Sequence, residues 1–256
     1  MNETQRSALY ASKRIQAIRN MEQHIQKILF PKAKQIIALA SKYRNGNRLS
    51  RESAFLSEAR AITATASADI DAYTAAYSKA SCKILGISDK QISSFVSGEI
   101  YGKTTAERNA TYLANFAEDI VRMVKAGVLM GYSDSKILSA VRTGYKDPYH
   151  STVVTKAQRK DINISTPSYG KGYYRNAYEN IVRNSSQVIS LSWGRAEQEY
   201  GEENGAVGFK VFRGSSFPCP ICDDECSYIH KPGDPFPPFH INCVCYTKFI
   251  FKERNK

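Results

Sequence analysis

The sequence lacks any long hydrophobic run, and it also lacks an apolar signal core at its start. Its longest apolar stretches, such as residues 36–40, fall far short of the ~18 residues that a membrane-spanning helix needs. From the polar first residues we expect no export signal, no membrane association and synthesis in a cytoplasm. Internal repeats and low-complexity tracts are absent, and 42% hydrophobic with 23% charged residues is typical of a globular protein.

Cysteine is rare along most of the chain and concentrated near its end. Only Cys82 precedes the cluster, and we expect this lone thiol to be a small buried residue of a helix. In a chain without an export signal, such a cluster is more typical of a metal site than of disulfide bonds. The clustered residues are Cys219, Cys222, Cys226, Cys243 and Cys245.

Charge is distributed unevenly as well. The formal net charge is +12, and residues 1–50 alone hold ten Lys or Arg against two Asp or Glu. A basic segment of this kind predicts contact with a polyanion or with an acidic protein surface. The alternative interpretation is a solvated lysine-rich helix face without a partner. The basic residues expected largely outside the apolar stripe are Lys13, Arg14, Lys27, Lys32 and Lys34.

The hydrophobic pattern before residue 205 predicts helices. Apolar residues recur at three- and four-residue steps from Leu9 to Ala40, and Pro31 is expected to kink or restart this first helix. Residues 145–172 are polar and turn-rich, so we predict a loop there. The other helices are predicted over residues 51–85, from Ser88, from Thr104, from Lys136 to Arg142 and from Tyr173 to Tyr200.

The chain changes character after Gly205. Residues 207–212 are predicted to form a strand, and residues 246–251 alternate as a second β-like run. The fold class is therefore predicted as mainly α, a multi-helix body with a small C-terminal α+β module. Its predicted parts are a basic helical N-terminal region over residues 1–90, a helical body over 91–204 and a β-rich module over 205–256.

The strongest chemical signal is a Cys-x-x-Cys turn followed by a second ligand-rich segment. A two-residue gap lets two thiolates on one turn reach a single tetrahedral Zn²⁺ at ~2.3 Å. The second segment offers three candidates for the two remaining positions. Four protein ligands leave no open position, so we expect one structural Zn²⁺ that stabilises the module. The candidate ligands are Cys219, Cys222, His240, Cys243 and Cys245.

Two other interpretations of these cysteines remain open. They could be reduced thiols packed in a small core, or they could form a disulfide. Cys226 and His230 are spare candidates that a four-ligand shell does not need, and we expect both to lie outside it.

The terminal motif resembles that of the Mu F-like phage minor head proteins, also called phage head morphogenesis proteins. Their module typically reads as a strand, a Cys-x-x-Cys turn, a glycine-containing loop and Pro-Pro-x-His-Pro-Asn-Cys-Arg-Cys. Ile241 stands here where proline is usual and Val244 where arginine is usual, and neither position holds a ligand. The matching residues are Cys219, Cys222, Gly233, Pro237, Pro238, His240, Asn242, Cys243 and Cys245.

The resemblance extends upstream and covers roughly residues 100–248. Residues 102–108 and 126–133 are similar to the helical region of the family. Arg183-Asn184 precedes the module where the family often has Arg-Thr-Glu, so this chain lacks the acidic residue.

The resemblance implies a minor capsid protein of a bacteriophage and not an enzyme. It implies a place in the virion at the portal vertex after synthesis in the host cytoplasm. Members of the family assist head assembly, DNA packaging or DNA delivery. The implied partners are the portal protein and other capsid proteins, with non-specific contact to phage DNA through the basic segment.

Two further functions are weighed against this one. A zinc-dependent nuclease would use His230, His240 and Asp234 in hydrolysis, and it would need a metal position left for water. A cellular DNA-binding zinc protein would need a groove-reading helix near the ligand pairs. The interval between the pairs contains four prolines, which forbid a regular helix there.

Overall fold

The structure is a computed structural model that describes residues 2–100, 102–144, 156–157 and 176–252. It is mainly helical with a small sheet near the C-terminus, which confirms the predicted fold class at this level. The loop predicted over residues 145–172 lies outside the described residues, apart from residues 156–157. Within the described parts of the chain, each helix is too short or too polar to cross a bilayer.

The helices follow one another from the N-terminus to the sheet. A short 3₁₀ helix, Ala40–Tyr43, follows the first of them. The α-helices are α1 (Glu3–Leu39), α2 (Glu52–Ala64), α3 (Ser67–Leu85), α4 (Lys90–Ser97), α5 (Thr105–Leu129), α6 (Asp134–Gly144), α7 (Ala177–Glu203) and α8 (Pro220–Glu225).

The strands form two small hairpins and one sheet of three strands. The sheet has the order β6-β5-β7 with antiparallel pairing, and Phe209 of its central strand faces both His230 and Phe249. Both strands predicted from the sequence are confirmed, as β5 and β7. The strands are β1 (Arg44–Asn45), β2 (Arg48–Leu49), β3 (Glu99–Ile100), β4 (Lys103–Thr104), β5 (Ala206–Phe212), β6 (Ile229–His230) and β7 (Tyr246–Phe251).

Helix α1 continues through Pro31 without a restart. Proline removes one backbone donor, and its ring crowds the carbonyl of the residue four positions earlier in the helix. Pro31 is exposed, whereas Leu29, Ala33 and Ile36 on either side are buried. Packing of this apolar face offsets the local cost of the proline.

The stretch predicted to be helical over residues 51–85 is helical, but it consists of two helices, and the break between them was not predicted. The break lies at Thr65 and Ala66. The Ala66 N–H donates to the Thr63 carbonyl at 3.0 Å, and this hydrogen bond closes a tight turn. The Thr65 hydroxyl donates to the Ile62 carbonyl at 2.7 Å. Threonine hydroxyls that bond backwards to the backbone compete with helix continuation. No Gly or Pro marks this break, so the periodicity alone did not reveal it.

The chain divides into two compact units, each made of separated ranges. Unit 1 comprises Met1–Glu22, Ala72–Thr105 and Ser185–Lys256. Unit 2 comprises Gln23–Asp71 and Ala106–Asn184. The division into consecutive segments 1–90, 91–204 and 205–256 stays a prediction.

The core of unit 1 is organised around Trp193 of α7. Its indole N–H donates to the Tyr77 carbonyl at 2.8 Å, and its own carbonyl accepts the Tyr10 hydroxyl at 2.7 Å. Cys82 is buried with Ile92 beside this helix, so the prediction of a small buried thiol is confirmed.

Candidate metal centre

The sheet and the loops that follow it bring the clustered cysteines into one core. Cys222, Cys243 and Cys245 are each almost fully buried, and they pack with Phe209 and Phe249 of the sheet. Cys219 stands at the N-cap of α8 with proline at the first helical position, so Cys222 follows within the first turn. The N-terminus of this short helix therefore holds both cysteines of the Cys-x-x-Cys pair.

The structure brings all five predicted ligands together, in two overlapping groups of three. In each group the ligand atoms lie within 4.8 Å of one another, and Cys222 belongs to both. We call these groups the His240 triad (Cys219, Cys222 and His240) and the Cys245 triad (Cys222, Cys243 and Cys245). The Nε2 atom of His240 lies 3.0 Å from the Cys222 sulfur and 3.3 Å from the Cys219 sulfur. The Cys222 and Cys243 sulfurs are 3.9 Å apart.

His240 is oriented as metal-binding histidines are. Its Nδ1 lies 2.8 Å from the carbonyl oxygen of Ile241. Because a carbonyl can only accept, Nδ1 carries the proton and Nε2 keeps its lone pair. That hydrogen bond raises the pKa of His240. The lone pair faces the two sulfurs, and the backbone carbonyl acts as the orienting partner that metal-ligating imidazoles usually have.

Ionisation of one thiol in the cluster disfavours ionisation of its neighbours. The hydrogen bond with Cys245 lowers the pKa of Cys243 to about 5, and the same bond raises the pKa of Cys245. Burial raises the pKa of Cys222 to about 12. One thiolate thus forms readily, whereas several thiolates in this space need a cation. The donor set of thiols and one unprotonated imidazole nitrogen could hold a soft or borderline metal ion.

The two spare candidates lie near the triads and belong to neither. Cys226 packs against the core that contains Cys245, and burial raises the pKa of Cys226. His230 on β6 is fully buried, and its Nε2 lies 2.8 Å from the carbonyl oxygen of Glu225. Its ring stacks on Phe209 with centroids 4.7 Å apart.

Helix α1 binds the chain at and just before β7, which sequence reasoning did not anticipate. Glu3 accepts a hydrogen bond from the Phe249 N–H at 3.0 Å, and the Ser7 hydroxyl donates to the Thr247 carbonyl. The Arg14 Nη2 donates to the Cys245 carbonyl at 2.6 Å. Among the described residues, β5 is the strand that pairs with β7, so these side chains occupy backbone groups that the other edge of β7 would leave unpaired.

The expectation that Arg14 lies outside the buried stripe is wrong. Its side chain is 2% exposed, because its guanidinium has a partner 231 residues away in the chain. Arg6 is similarly placed, 2.8 Å from Glu3 and 3.1 Å from the buried Glu197. Glu3, Ser7, Tyr10 and Arg14 recur at helical spacing, so the signal existed, but polar residue types indicated a solvent face.

Two segments of the upstream resemblance meet within unit 2. The Arg108 Nε donates to the Asn184 side chain at 2.7 Å. Asn184 donates to Asn109 at 2.7 Å, and Asn109 donates to Asp71 at 2.7 Å. Asn109 is fully buried, so this chain of hydrogen bonds satisfies polar groups inside a helical core.

No family model, curated protein or solved structure matches this chain. The family resemblance accordingly rests on the residues quoted for it. The metal centre rests on the distances, burial and hydrogen bonds of its own side chains.

Proposed function

We propose that the protein is a phage minor head protein of the Mu F-like type, with a C-terminal module stabilised by structural zinc. One observation carries this proposal: the Cys-x-x-Cys turn and the His-x-x-Cys-x-Cys segment, which carry the family resemblance, converge on one cluster. Spacing alone does not require such convergence, because the two segments are separated by a long loop.

The chemistry of the cluster favours zinc in a structural role. Thiolates and imidazole are the usual ligands of structural Zn²⁺, which has no geometric preference of its own. Cys222, Cys243 and Cys245 are buried beside aromatic rings, and this limits the access of water to their side of the cluster. A zinc ion held there would cross-link α8 and the 240–245 segment, and the hydrogen bond from Arg14 to the Cys245 carbonyl would connect this site to the N-terminal half of α1.

The surface of the module supports a protein partner such as the portal protein or another capsid protein. Among the described residues, eight of the eleven exposed large hydrophobic side chains lie within residues 206–252. Concentrated exposed apolar surface is typical of interaction sites. The eight are Val207, Phe217, Ile221, Tyr228, Ile229, Ile241, Ile250 and Phe251.

The basic N-terminal segment supports weaker, non-specific contact with phage DNA. Arg6 and Arg14 serve internal contacts, so they are not available for it. Lys13, Arg19 and Lys27 on α1 are exposed. Contacts of this kind would weaken strongly as salt rises.

The nuclease hypothesis gains no specific support from the histidine that it would use. His230 is fully buried and bonded to a backbone carbonyl, whereas a general base must reach its substrate. We expect no zinc-dependent degradation of DNA by the wild-type protein. The His230→Ala variant should give the same result. A zinc-dependent activity that His230→Ala abolishes would favour the nuclease.

The proposal is tested by looking for the protein in particles of the phage that encodes it. We expect low-copy incorporation, detected by mass spectrometry of purified heads, and zinc in the isolated protein. The double variant Phe217→Ser/Ile221→Ser should reduce incorporation, while Ile84→Ser, an exposed residue of α3, serves as the matched control. Absence of the wild-type protein from the particles would contradict the proposal.

A further inference from the structure

The donors of the metal centre are arranged around two points in space. The His240 triad and the Cys245 triad share only Cys222, and no larger group of Cys, His, Asp or Glu among the described residues is equally close. In a tetrahedral shell with Zn–S bonds of ~2.3 Å, neighbouring sulfurs lie ~3.8 Å apart. A single ion would therefore need a sulfur from one triad to move into the other.

A sixth donor stands beside the Cys245 triad. Cys226 lies one helical turn after Cys222, its N–H donates to the Cys222 carbonyl at 3.1 Å, and it packs against the same core. Together with this residue, the Cys245 triad offers four thiols, the number that a closed structural site requires. The His240 triad offers three donors on the less buried side, where Cys219 and His240 are half-buried.

Charge balance permits two ions. Five thiolates and two divalent ions leave one negative charge, the same excess that three thiolates and one imidazole leave around a single ion. Arg213 lies beside the cluster, where its Nη1 donates to the Cys219 carbonyl at 3.5 Å and pairs with Asp223, so its guanidinium can balance this charge.

We propose that the cluster binds two zinc-type divalent ions bridged by the Cys222 thiolate. One ion is held by Cys219, Cys222 and His240, with solvent in its fourth position. The other is held by Cys222, Cys226, Cys243 and Cys245. This inference rests on the proposed metal-binding function, and it assigns Cys226 a role that the sequence did not indicate.

The ion count of the full chain tests the inference directly. Native mass spectrometry after saturation with Zn²⁺ should find two ions per chain. In the Cd²⁺-substituted protein, ¹¹³Cd NMR should give two resonances that are split by coupling through the shared sulfur. One ion per chain would overturn this inference and leave the proposed function standing, whereas no ion would overturn both.

A variant of the sixth donor tests the assignment of ligands. Cys226→Ser should lose one bound ion per chain and retain the ion of the His240 triad. The matched control, Cys82→Ser, removes a buried thiol that is distant from the cluster in the sequence. This variant should retain both ions. Retention of both ions by Cys226→Ser would overturn the assignment. If this variant failed to fold, the wild-type ion count and the cadmium coupling would still decide.

Discussion

The C-terminal module, residues 206–252, and unit 2 reach stability by different means. The module has strands of two to seven residues, a six-residue helix and a core of thiols and aromatic rings. Unit 2 contains most of the long helix α5, whose buried stripe includes Phe116, Ile120 and Val124. A segment as short as the module buries too little apolar surface to be stable alone. We therefore propose that metal cross-links, together with the hydrogen bonds from α1, supply in the module what apolar helix faces supply in unit 2.

The sharpest test of this difference is removal of the shared thiol. Cys222→Ser deletes the donor common to both triads, so we expect loss of metal and destabilisation of residues 206–252 by at least about 3 kcal/mol. Hydrogen exchange measured by mass spectrometry should show lost protection there and retained protection in unit 2. Cys82→Ser should leave both regions protected. Equal loss of protection in the two regions would contradict the comparison.

The next largest effect is expected where α1 supports the module. Arg14→Met removes the hydrogen bond to the Cys245 carbonyl and leaves that buried acceptor unpaired, so stability should fall by about 2–3 kcal/mol. Urea unfolding monitored by circular dichroism measures this change. Lys13→Met alters the exposed neighbour and should stay within about 0.5 kcal/mol of the wild type. Similar effects of the two substitutions would show that Arg14 does not support the module.

A smaller effect should come from the polar core of unit 2. Asn109→Ala breaks the hydrogen bonds to Asp71 and Asn184, and we expect a loss of about 1–2 kcal/mol. Zinc content should not change, because these residues are not part of the metal centre. Asn115→Ala on the same helix, at a half-buried position, is the matched control. A loss of zinc in Asn109→Ala would count against independent stabilisation of the two regions.

The smallest effect concerns an exposed ion pair in unit 2. Hydrogen bonds from Lys42 at 2.6 Å and from the Tyr43 hydroxyl at 2.7 Å hold the pKa of Glu58 below its ordinary value. A depressed carboxyl pKa adds stability above the unfolded value of about 4.3, and that stability is lost as pH falls through the folded pKa. Lys42→Ala should raise the pKa of Glu58 in an NMR titration, while Lys34→Ala should not. An unchanged pKa in Lys42→Ala would contradict the assigned cause.

Local patterns were sufficient to predict most of the helices, strands β5 and β7 and the set of candidate ligands, but not helix α8, strand β6 or the two hairpins. Strands β5 and β7 were visible from alternation, and Cys82 from its apolar surroundings. The break at Thr65 was missed because a hydroxyl that bonds to the preceding turn leaves no periodic trace. Arg14 was wrongly predicted to be exposed, because a charged residue on a helix indicates a solvent-facing position unless its distant partner is known.

The amino-acid sequence alone predicts most of the helices, the two main strands and the set of thiols and imidazole that can ligate a metal. Each of these features depends on neighbours only a few residues away. The fold adds the grouping of those ligands into two triads around Cys222 and the covering of β7 by α1. Both depend on contacts between residues far apart in the chain, and only packing brings such residues within bonding distance.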